Sequence, residues 1–501
     1  MCGIIGILSS SPVVQDIYDG LVMLQHRGQD SSGIMTYDGR FFLKKGNGYV
    51  RDVFKVKHMI GLKGNMGIGH VRYTTAGSYD AAAEAQPFYV NSPFGIALIH
   101  NGNLTNYQEL KEQVTKDNRR YLNTNSDSEI LLNIIADEIG KLKSKKLSPA
   151  DIFKALKNVY KRLKGSFSVI CMIANHGLLA FRDKYGIRPL IFGKRESSFG
   201  PEYIFASESV ALDTLGFELL NDVMPGEAVF VDLAKKVHVK QVEKYSWAPC
   251  IFEYVYLARP DSVIDRISVY KSRLRMGKYL AVQIKKAIAK GLKIDVVVPV
   301  PDTARSAAFE IASQLRLPCR EGLIKNRYIG RTFIMPGQGI RKRSIKYKLN
   351  PMPLEINGKN VLLVDDSIVR GNTSRKIVEM VRDAGAKHVY MAICCPPLRH
   401  PCVYGVDMPT RKEFIANNLT IEEIAKAISA DKLFYQTLPD LIKAVKAGNP
   451  KVTGFCTACF SGKYLTPEIT EKVLEAAEQS RSAAALIDGG PADSEDQLSL
   501  L

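Results

Sequence analysis

Apolar residues up to about position 240 fall in short runs closed by glycine-, serine- or asparagine-bearing turns: "CGIIGIL", "SSGIMTY", "MGIGHVRY", "FGIALIHNG", "FSVICMIA" and "LLAFRD". Runs of that length and punctuation predict β-strands. Between them, "SDSEILLNIIADEIGKL" sets apolar residues at helical spacing after a serine–aspartate start, which predicts an amphipathic helix. Packed sheets with a few helices make this half an α+β domain.

Beyond the "WAPCIFEYVYLARPDS" junction the rhythm changes. "ISVYKSRLRMGKYLAVQIKKAIAKGL" predicts one long amphipathic helix. Strand-like runs then alternate with helix-like ones: "IDVVVPV" before "RSAAFEIASQL", "NVLLVDD" before "TSRKIVEMVRDAG", and "KHVYMAICC" after. Continuously apolar strands between helices predict a parallel sheet covered on both faces. Ligands of such sheets bind at the carboxyl ends of the strands. The pattern divides the chain into a domain over 2–240, an α/β domain over 241–470, and a helix with a polar tail over 471–501.

Composition narrows the class. The chain has 501 residues, 46% hydrophobic and 24% charged, the balance of a soluble globular protein of two large domains. Neither a membrane-length apolar run nor a signal peptide is present, and a cytoplasmic enzyme is expected. The net charge of +18 suits an anionic ligand or nucleic acid. Its basic runs are scattered, however, and no nucleic-acid-binding motif accompanies them, so no nucleic-acid partner is expected. Nine cysteines in a reducing compartment point to catalysis or metal rather than disulfides.

The first candidate nucleophile is Cys2. Small residues behind the start methionine suit its removal, which would leave Cys2 with a free α-amine. An amine of pKa about 7.7–8.0 can take the proton of a thiol of pKa about 8.5, as in catalysis by N-terminal threonine. "QHRGQDSSG", "GHVRYTTAG", "HNGNLTNY" and "TNSDSEIL" follow in order. With "MCGIIGI" they resemble the glutamine amidotransferases with an N-terminal cysteine, within the N-terminal-nucleophile hydrolases. The resemblance implies stacked antiparallel sheets between helices. It also implies that Arg72 binds the glutamine α-carboxylate and Asp127 its α-ammonium. Asn101 and Gly102 would form the oxyanion hole. His26, His70 and His100 flank these motifs and are given no chemistry.

The second set lies in "VLLVDDSIVRGNTS" (361–374): an apolar strand, two carboxylates, a short loop and a helix. Such carboxylates can receive ribose hydroxyls, directly or through Mg²⁺, and the loop at a helix N-terminus suits phosphate. This resembles the phosphoribosylpyrophosphate signature of type I phosphoribosyltransferases. Together with "FEYVYLARPDS" and "KNRYIGRTFIMPGQ", the chain to about position 470 is similar to the glutamine phosphoribosylpyrophosphate amidotransferase family. That implies transfer of glutamine-derived ammonia to 5-phosphoribosyl 1-pyrophosphate, opening purine synthesis. Thr303, Asp365 and Asp366 would position Mg²⁺. Ser367, Arg370, Gly371, Asn372, Thr373 and Ser374 would hold the sugar phosphate, and 325–341 would be a closing flap. Asn372 stands where the family commonly has threonine, which alters one contact. Family relatives suggest a homodimer or homotetramer and purine nucleotides as feedback inhibitors.

The last set is Cys456 and Cys459 of "FCTACF", with Cys402 and Cys250 elsewhere. One C-x-x-C pair with two remote thiols leaves zinc, an iron–sulfur cluster or no metal open by spacing. The iron–sulfur-containing type of the family has cysteines in these four contexts, which implies a structural [4Fe–4S] cluster. That type often carries a propeptide ahead of its catalytic cysteine, whereas Cys2 here follows the start methionine. Cys171, Cys319, Cys394 and Cys395 are expected to be core or loop thiols. Rival readings are an amidotransferase acting on fructose 6-phosphate, aspartate or 2-oxoglutarate, and a phosphoribosylpyrophosphate-sensing regulator without chemistry. The 361–374 loop opposes the first and the complete Cys2 set the second.

Overall fold

The computed structural model describes residues 1–73, 83–326, 349–476 and 478–479. Of the expected flap, residues 327–341 lie outside these, as does most of the expected tail.

Strand Gly3–Leu8 shows how the first domain is layered. Its side chains alternate between two cores: Ile4 and Leu8 face one, Ile5 and Ile7 the other. Gly6, on the Ile4 face, is small because a Cβ there would lie 2.7 Å from Ile170 of the opposing sheet. This strand is central in a seven-stranded antiparallel sheet, hydrogen-bonded to Gly200–Ala206 on one side and Met66–Arg72 on the other. A six-stranded antiparallel sheet, including Ile96–Leu104 and Gly165–Ile173, stacks on it. The core between the sheets takes Ile4, Met35 and Ile68 from one and Ala97, Ile99 and Ile170 from the other. Helices Asp127–Gly140 and Pro149–Arg162 cover the outer face of the six-stranded sheet. Helices Val14–Met23 and Ser209–Leu215 cover that of the seven-stranded one. The stacked antiparallel sheets between helices expected for this half are present.

The second domain is built on a four-stranded parallel sheet in the order Val296–Pro299, Asn360–Asp365, His388–Ile393, Lys432–Tyr435. Both faces are buried: Val296, Val298 and Leu363 enter one core, Val297, Leu362 and Val364 the other. Two-sided burial is why these strands read as unbroken apolar runs. The predicted long helix spans Val269–Ile288, and Ser268 caps it by accepting from the Lys271 amide. Between the domains, Glu253–Leu257 forms one π-helical turn inside the buried junction. Arg182 of the first domain crosses that junction to Asp265 at 2.7 and 3.1 Å, and Trp247 Nε1 donates to the same carboxylate at 3.0 Å. Among the described residues no helix is long and apolar enough to cross a membrane.

Candidate functional site

Cys2 sits at the head of strand Gly3–Leu8, half-buried, where neighbouring backbones close in. Its amide donates to Asn101 Oδ1 at 3.4 Å, and its carbonyl accepts from Arg27 Nε at 3.0 Å. Asn101 and Gly102 lie in the middle of strand Ile96–Leu104. With its oxygen turned to Cys2, the Asn101 amide leaves Nδ2 buried with no hydrogen-bond partner among the described residues. A buried donor without an acceptor is costly in a resting protein and useful where negative charge will develop. Gly102 has φ +157°, and a Cβ there would stand 2.1 Å from the Ser166 carbonyl oxygen, so only glycine fits.

The two predicted substrate-binding residues flank this point. Arg72 ends strand Met66–Arg72 and pairs with Glu84 through Nη2, while Nη1 is buried without a partner among the described residues. Asp127 opens helix Asp127–Gly140, accepts from the Leu104 amide at 3.0 Å and keeps its side chain 21% exposed. His100 lies behind it, with Nδ1 3.2 Å from Ser128 Oγ. Burial, reinforced by Arg72, lowers His70 to about 3, so it is a neutral packing residue.

Sequence reasoning missed the charged network beneath Cys2. Arg27, fully buried, binds Glu208 and, at 3.0 Å, Glu253 of the interdomain turn. Arg188, equally buried, reaches the same Glu253 at 3.2 Å. His26 joins Glu208 at 2.8 Å. Burial alone would raise the Glu208 carboxyl, but His26 and Arg27 overcome it and hold it well below the usual carboxylate range. Arg27 was visible in "QHRGQDSSG", but its acids lie 181 and 226 positions away and carry no local signal. Met1 is buried on this network, its sulfur 3.0 Å from Arg188 Nη1. Burial lowers its α-amine to about 6, against the opposing Cys2 charge and with help from Arg188.

In the second domain, strand Asn360–Asp365 ends at the paired carboxylates. Asp366 accepts from Ser367 Oγ at 2.5 Å and from Thr303 Oγ1. Burial and mutual repulsion raise Asp365 well above the carboxylate range. Burial raises Asp366 as well, against the opposing Ser367 and Thr303 hydroxyls. Two hard-oxygen groups crowded in this way suit a divalent cation. Gly371, φ +82°, turns the chain into helix Asn372–Asp383; a Cβ on it would strike Ile415 Cδ1 at 2.4 Å. The helix N-terminus, with Asn372 as its first residue, faces a cavity of about 450 Å³. Thr303, Asp365, Asp366, Ser367 and 370–374 all line this cavity, Arg370 with its Nη2 on Glu413 at 2.5 Å. The far wall includes Met1, His26 and Arg27, so one cavity runs from the aspartate pair to the chain's N-terminus.

The four predicted cysteines all fall at the domain junction, buried in one core. Cys250 and Cys456 are bridge partners in adjacent backbones, and Arg188 Nη2 approaches Cys402 Sγ at 3.9 Å. Burial raises the Cys250 thiol to about 11, opposed by Arg188 and aided by Glu253 and Cys402. Burial, then Cys250 and Cys402, push up Cys456, and burial, then Cys250, Cys402 and Cys456, push up Cys459. Among the described residues no group of three or more His, Cys, Asp or Glu side chains is placed to hold a metal ion. Cys171, Cys394 and Cys395 are buried and Cys319 half-buried, as expected of core and loop thiols.

Residues 70–214 match the glutamine amidotransferase domain family and residues 268–422 the phosphoribosyl transferase domain family. The chain is 53% identical over 486 residues to amidophosphoribosyltransferase of Pseudomonas aeruginosa, covering 97% of each. To the Escherichia coli amidophosphoribosyltransferase it is 52% identical, covering 95% of this chain and 94% of that one. A solved structure of glutamine phosphoribosylpyrophosphate amidotransferase from B. subtilis, complexed with ADP and GMP, superposes with a TM-score of 0.82 at 37% identity. That match covers 94% of this chain and 98% of that one.

Proposed function

Since this chain belongs to the amidophosphoribosyltransferase family, which catalyses the first step of purine biosynthesis, we propose how its own residues divide that reaction between two sites. The observation that carries the reading is the cavity of about 450 Å³ with the Asp365–Asp366 loop at one end and Met1 and Arg27 at the other. Ammonia released at Cys2 needs a path to the sugar on which it does not meet solvent.

With Met1 removed, the Cys2 α-amine accepts the thiol proton and the sulfur attacks the glutamine side-chain amide. Arg72 Nη1 and Asp127 hold the amino-acid end. The developing oxyanion takes hydrogen bonds from Asn101 Nδ2 and the Gly102 amide. Ammonia leaves, and water hydrolyses the thioester to glutamate. At the second site ammonia displaces pyrophosphate from 5-phosphoribosyl 1-pyrophosphate, giving 5-phosphoribosylamine. The hydroxyls and amides of Ser367 and 370–374 bind the 5-phosphate at the helix N-terminus. Asp365 and Asp366, with Thr303, would hold Mg²⁺, which supplies charge neutralisation for the leaving pyrophosphate.

Cys250, Cys402, Cys456 and Cys459 would hold a [4Fe–4S] cluster as a structural group, a donor set that soft thiolates suit. Their burial in one core, with Cys250 and Cys456 on adjacent backbones, supports this over exposed, scattered thiols. Iron and sulfide content with brown absorption in the purified enzyme is expected; zinc, or no metal, would defeat the assignment. The further parts of this reading are a cytoplasmic homodimer or homotetramer and feedback inhibition by purine nucleotides. Nucleotide feedback is supported by the ADP and GMP in the B. subtilis relative. The decisive assay measures 5-phosphoribosylamine formation by wild type and Cys2→Ala, with glutamine or ammonia as nitrogen source. Loss of glutamine use with retained ammonia use is expected. Glutamine use by the variant would refute the mechanism.

A further inference from the structure

We propose that Gly405, in the second domain, is a positioning residue of the first domain's oxyanion hole, so that the Val403–Gly405 segment completes the glutamine site across the domain boundary. The proposal rests on the assignment of Asn101 and Gly102 given above. Gly102 is held on two sides. On one, its Cα faces the Ser166 carbonyl so closely that a Cβ would lie 2.1 Å from that oxygen. On the other stands Gly405. A Cβ on Gly405, which has φ +93°, would lie 2.7 Å from the Gly102 oxygen, 2.9 Å from its carbonyl carbon and 3.2 Å from its Cα. Every one of these is a backbone atom, so no side-chain rotamer could relieve the contact. Glycine at 405 lets the two backbones touch and holds the Gly102 Cα and carbonyl, one bond from the amide that donates.

The segment is fastened to the glutamine domain by the two residues just before that contact. Asn103 Nδ2 donates to the Val403 carbonyl at 2.9 Å. Ser166 Oγ and Arg188 Nε both donate to the Tyr404 carbonyl, at 2.9 and 2.7 Å. The Tyr404 hydroxyl is tied to Thr466 Oγ1 at 2.8 Å in a buried position. Asn103 and Ser166 are themselves next to the oxyanion residue: one follows Gly102 in the strand, the other neighbours it across the sheet. Immediately beyond, Val406, Asp407 and Met408 wall the sugar cavity. One short stretch of backbone thus sets the oxyanion donor with one end and faces the acceptor substrate with the other. A shift of that wall reaches the Gly102 Cα and carbonyl through direct contact.

The test uses the full-length enzyme and Gly405→Ala. Rates are measured with glutamine and with ammonia, alongside inhibition by L-glutamate and by glutamate γ-semialdehyde. The Cys2 sulfur adds to the aldehyde carbon of the latter, its proton ending on the new oxygen and no group leaving. That oxygen occupies the oxyanion hole, which glutamate binding does not require. We expect kcat with glutamine to fall about 10- to 100-fold, with KM and the ammonia-dependent rate changed by no more than about twofold. The semialdehyde Ki should rise by the same factor as kcat falls, while the glutamate Ki holds. An equal loss of both nitrogen sources, or unchanged semialdehyde binding, would overturn the proposal. Should Gly405→Ala not fold, Asn103→Ala removes the donor to Val403 without adding bulk. It must lower the ratio of glutamine to ammonia rates and weaken semialdehyde binding; an unchanged ratio overturns the idea. Cys2→Ala separates the two levels, since glutamine use by that variant fails the underlying mechanism, whereas an indifferent Gly405→Ala fails only this inference.

Discussion

Two buried donors without partners among the described residues, Asn101 Nδ2 and Arg72 Nη1, support the proposed glutamine site more sharply than the thiol does. Each would cost stability if nothing ever bound there. Asn101→Ala is therefore expected to lower kcat for glutamine by about 10²–10³, with little change in KM, because the bond forms fully only in the transition state. Arg72→Lys should do the reverse and raise KM, since a lysine cannot present two fixed N–H groups to a carboxylate. Steady-state kinetics separate the two outcomes. Met1 poses a different residue-scale question. Its side chain and amine are buried between Arg27 and Arg188, out of reach of a peptidase in the folded state. Unprocessed protein, made with the cellular aminopeptidase inhibited, should keep Met1 when treated natively with the purified peptidase. Denaturation and refolding in its presence should release it. Intact mass reads both, and ready removal from the native protein would contradict the buried placement.

Elements were legible in proportion to how local their causes are. Strand Gly3–Leu8 alternates between two cores, and strand Asn360–Asp365 is apolar throughout because helices cover both faces, and each pattern is written in the sequence. The turn at Glu253–Leu257 was not legible as a π-turn; it was seen only as a change of rhythm. Its form is set by Arg273, whose guanidinium donates to the carbonyls of Tyr254, Tyr256 and Ala258 from another helix. The proposed phosphate loop makes the element-scale prediction. Gly371→Ala would need a left-handed backbone costing about 1–2 kcal/mol in a residue with a Cβ. It would also drive that Cβ into Ile415. Binding of 5-phosphoribosyl 1-pyrophosphate should weaken and glutamine hydrolysis without it should persist; calorimetric titration tests the first half.

The two domains are joined by buried charge as much as by apolar contact. Arg27 and Arg188 share Glu253 below Cys2, and Arg182 crosses to Asp265. Pairs so buried add little net stability when intact and cost several kcal/mol when one partner is lost, about 3–5 kcal/mol. Glu253→Ala should therefore loosen the domains and lower the melting temperature more than loss of any exposed pair. Asp222, whose carboxylate accepts from the Asp265 amide at 2.7 Å, gives the junction a pH dependence. Burial, then the Asp265 charge, raise it to about 7 against Arg182. A carboxyl raised on folding contributes stability that is complete below its unfolded value, about 3.9, and is lost as pH climbs through the folded value. Melting temperature should fall from pH 4 to pH 7, and Asp222→Asn should flatten that slope.

From its amino acids alone the chain determined its two fold classes and the order of its main strands and helices. Those properties depend on hydrophobic period, turn residues and short motifs, all encoded within a few positions of one another. The tertiary structure alone decided that Glu208 and Glu253 clamp Arg27, that Gly405 abuts Gly102, and that a single cavity connects the aspartate loop to the N-terminus. These pairings span as much as 303 positions and involve backbone atoms or common charged residues. Nothing in the neighbourhood of either partner announces the other until the domains have docked.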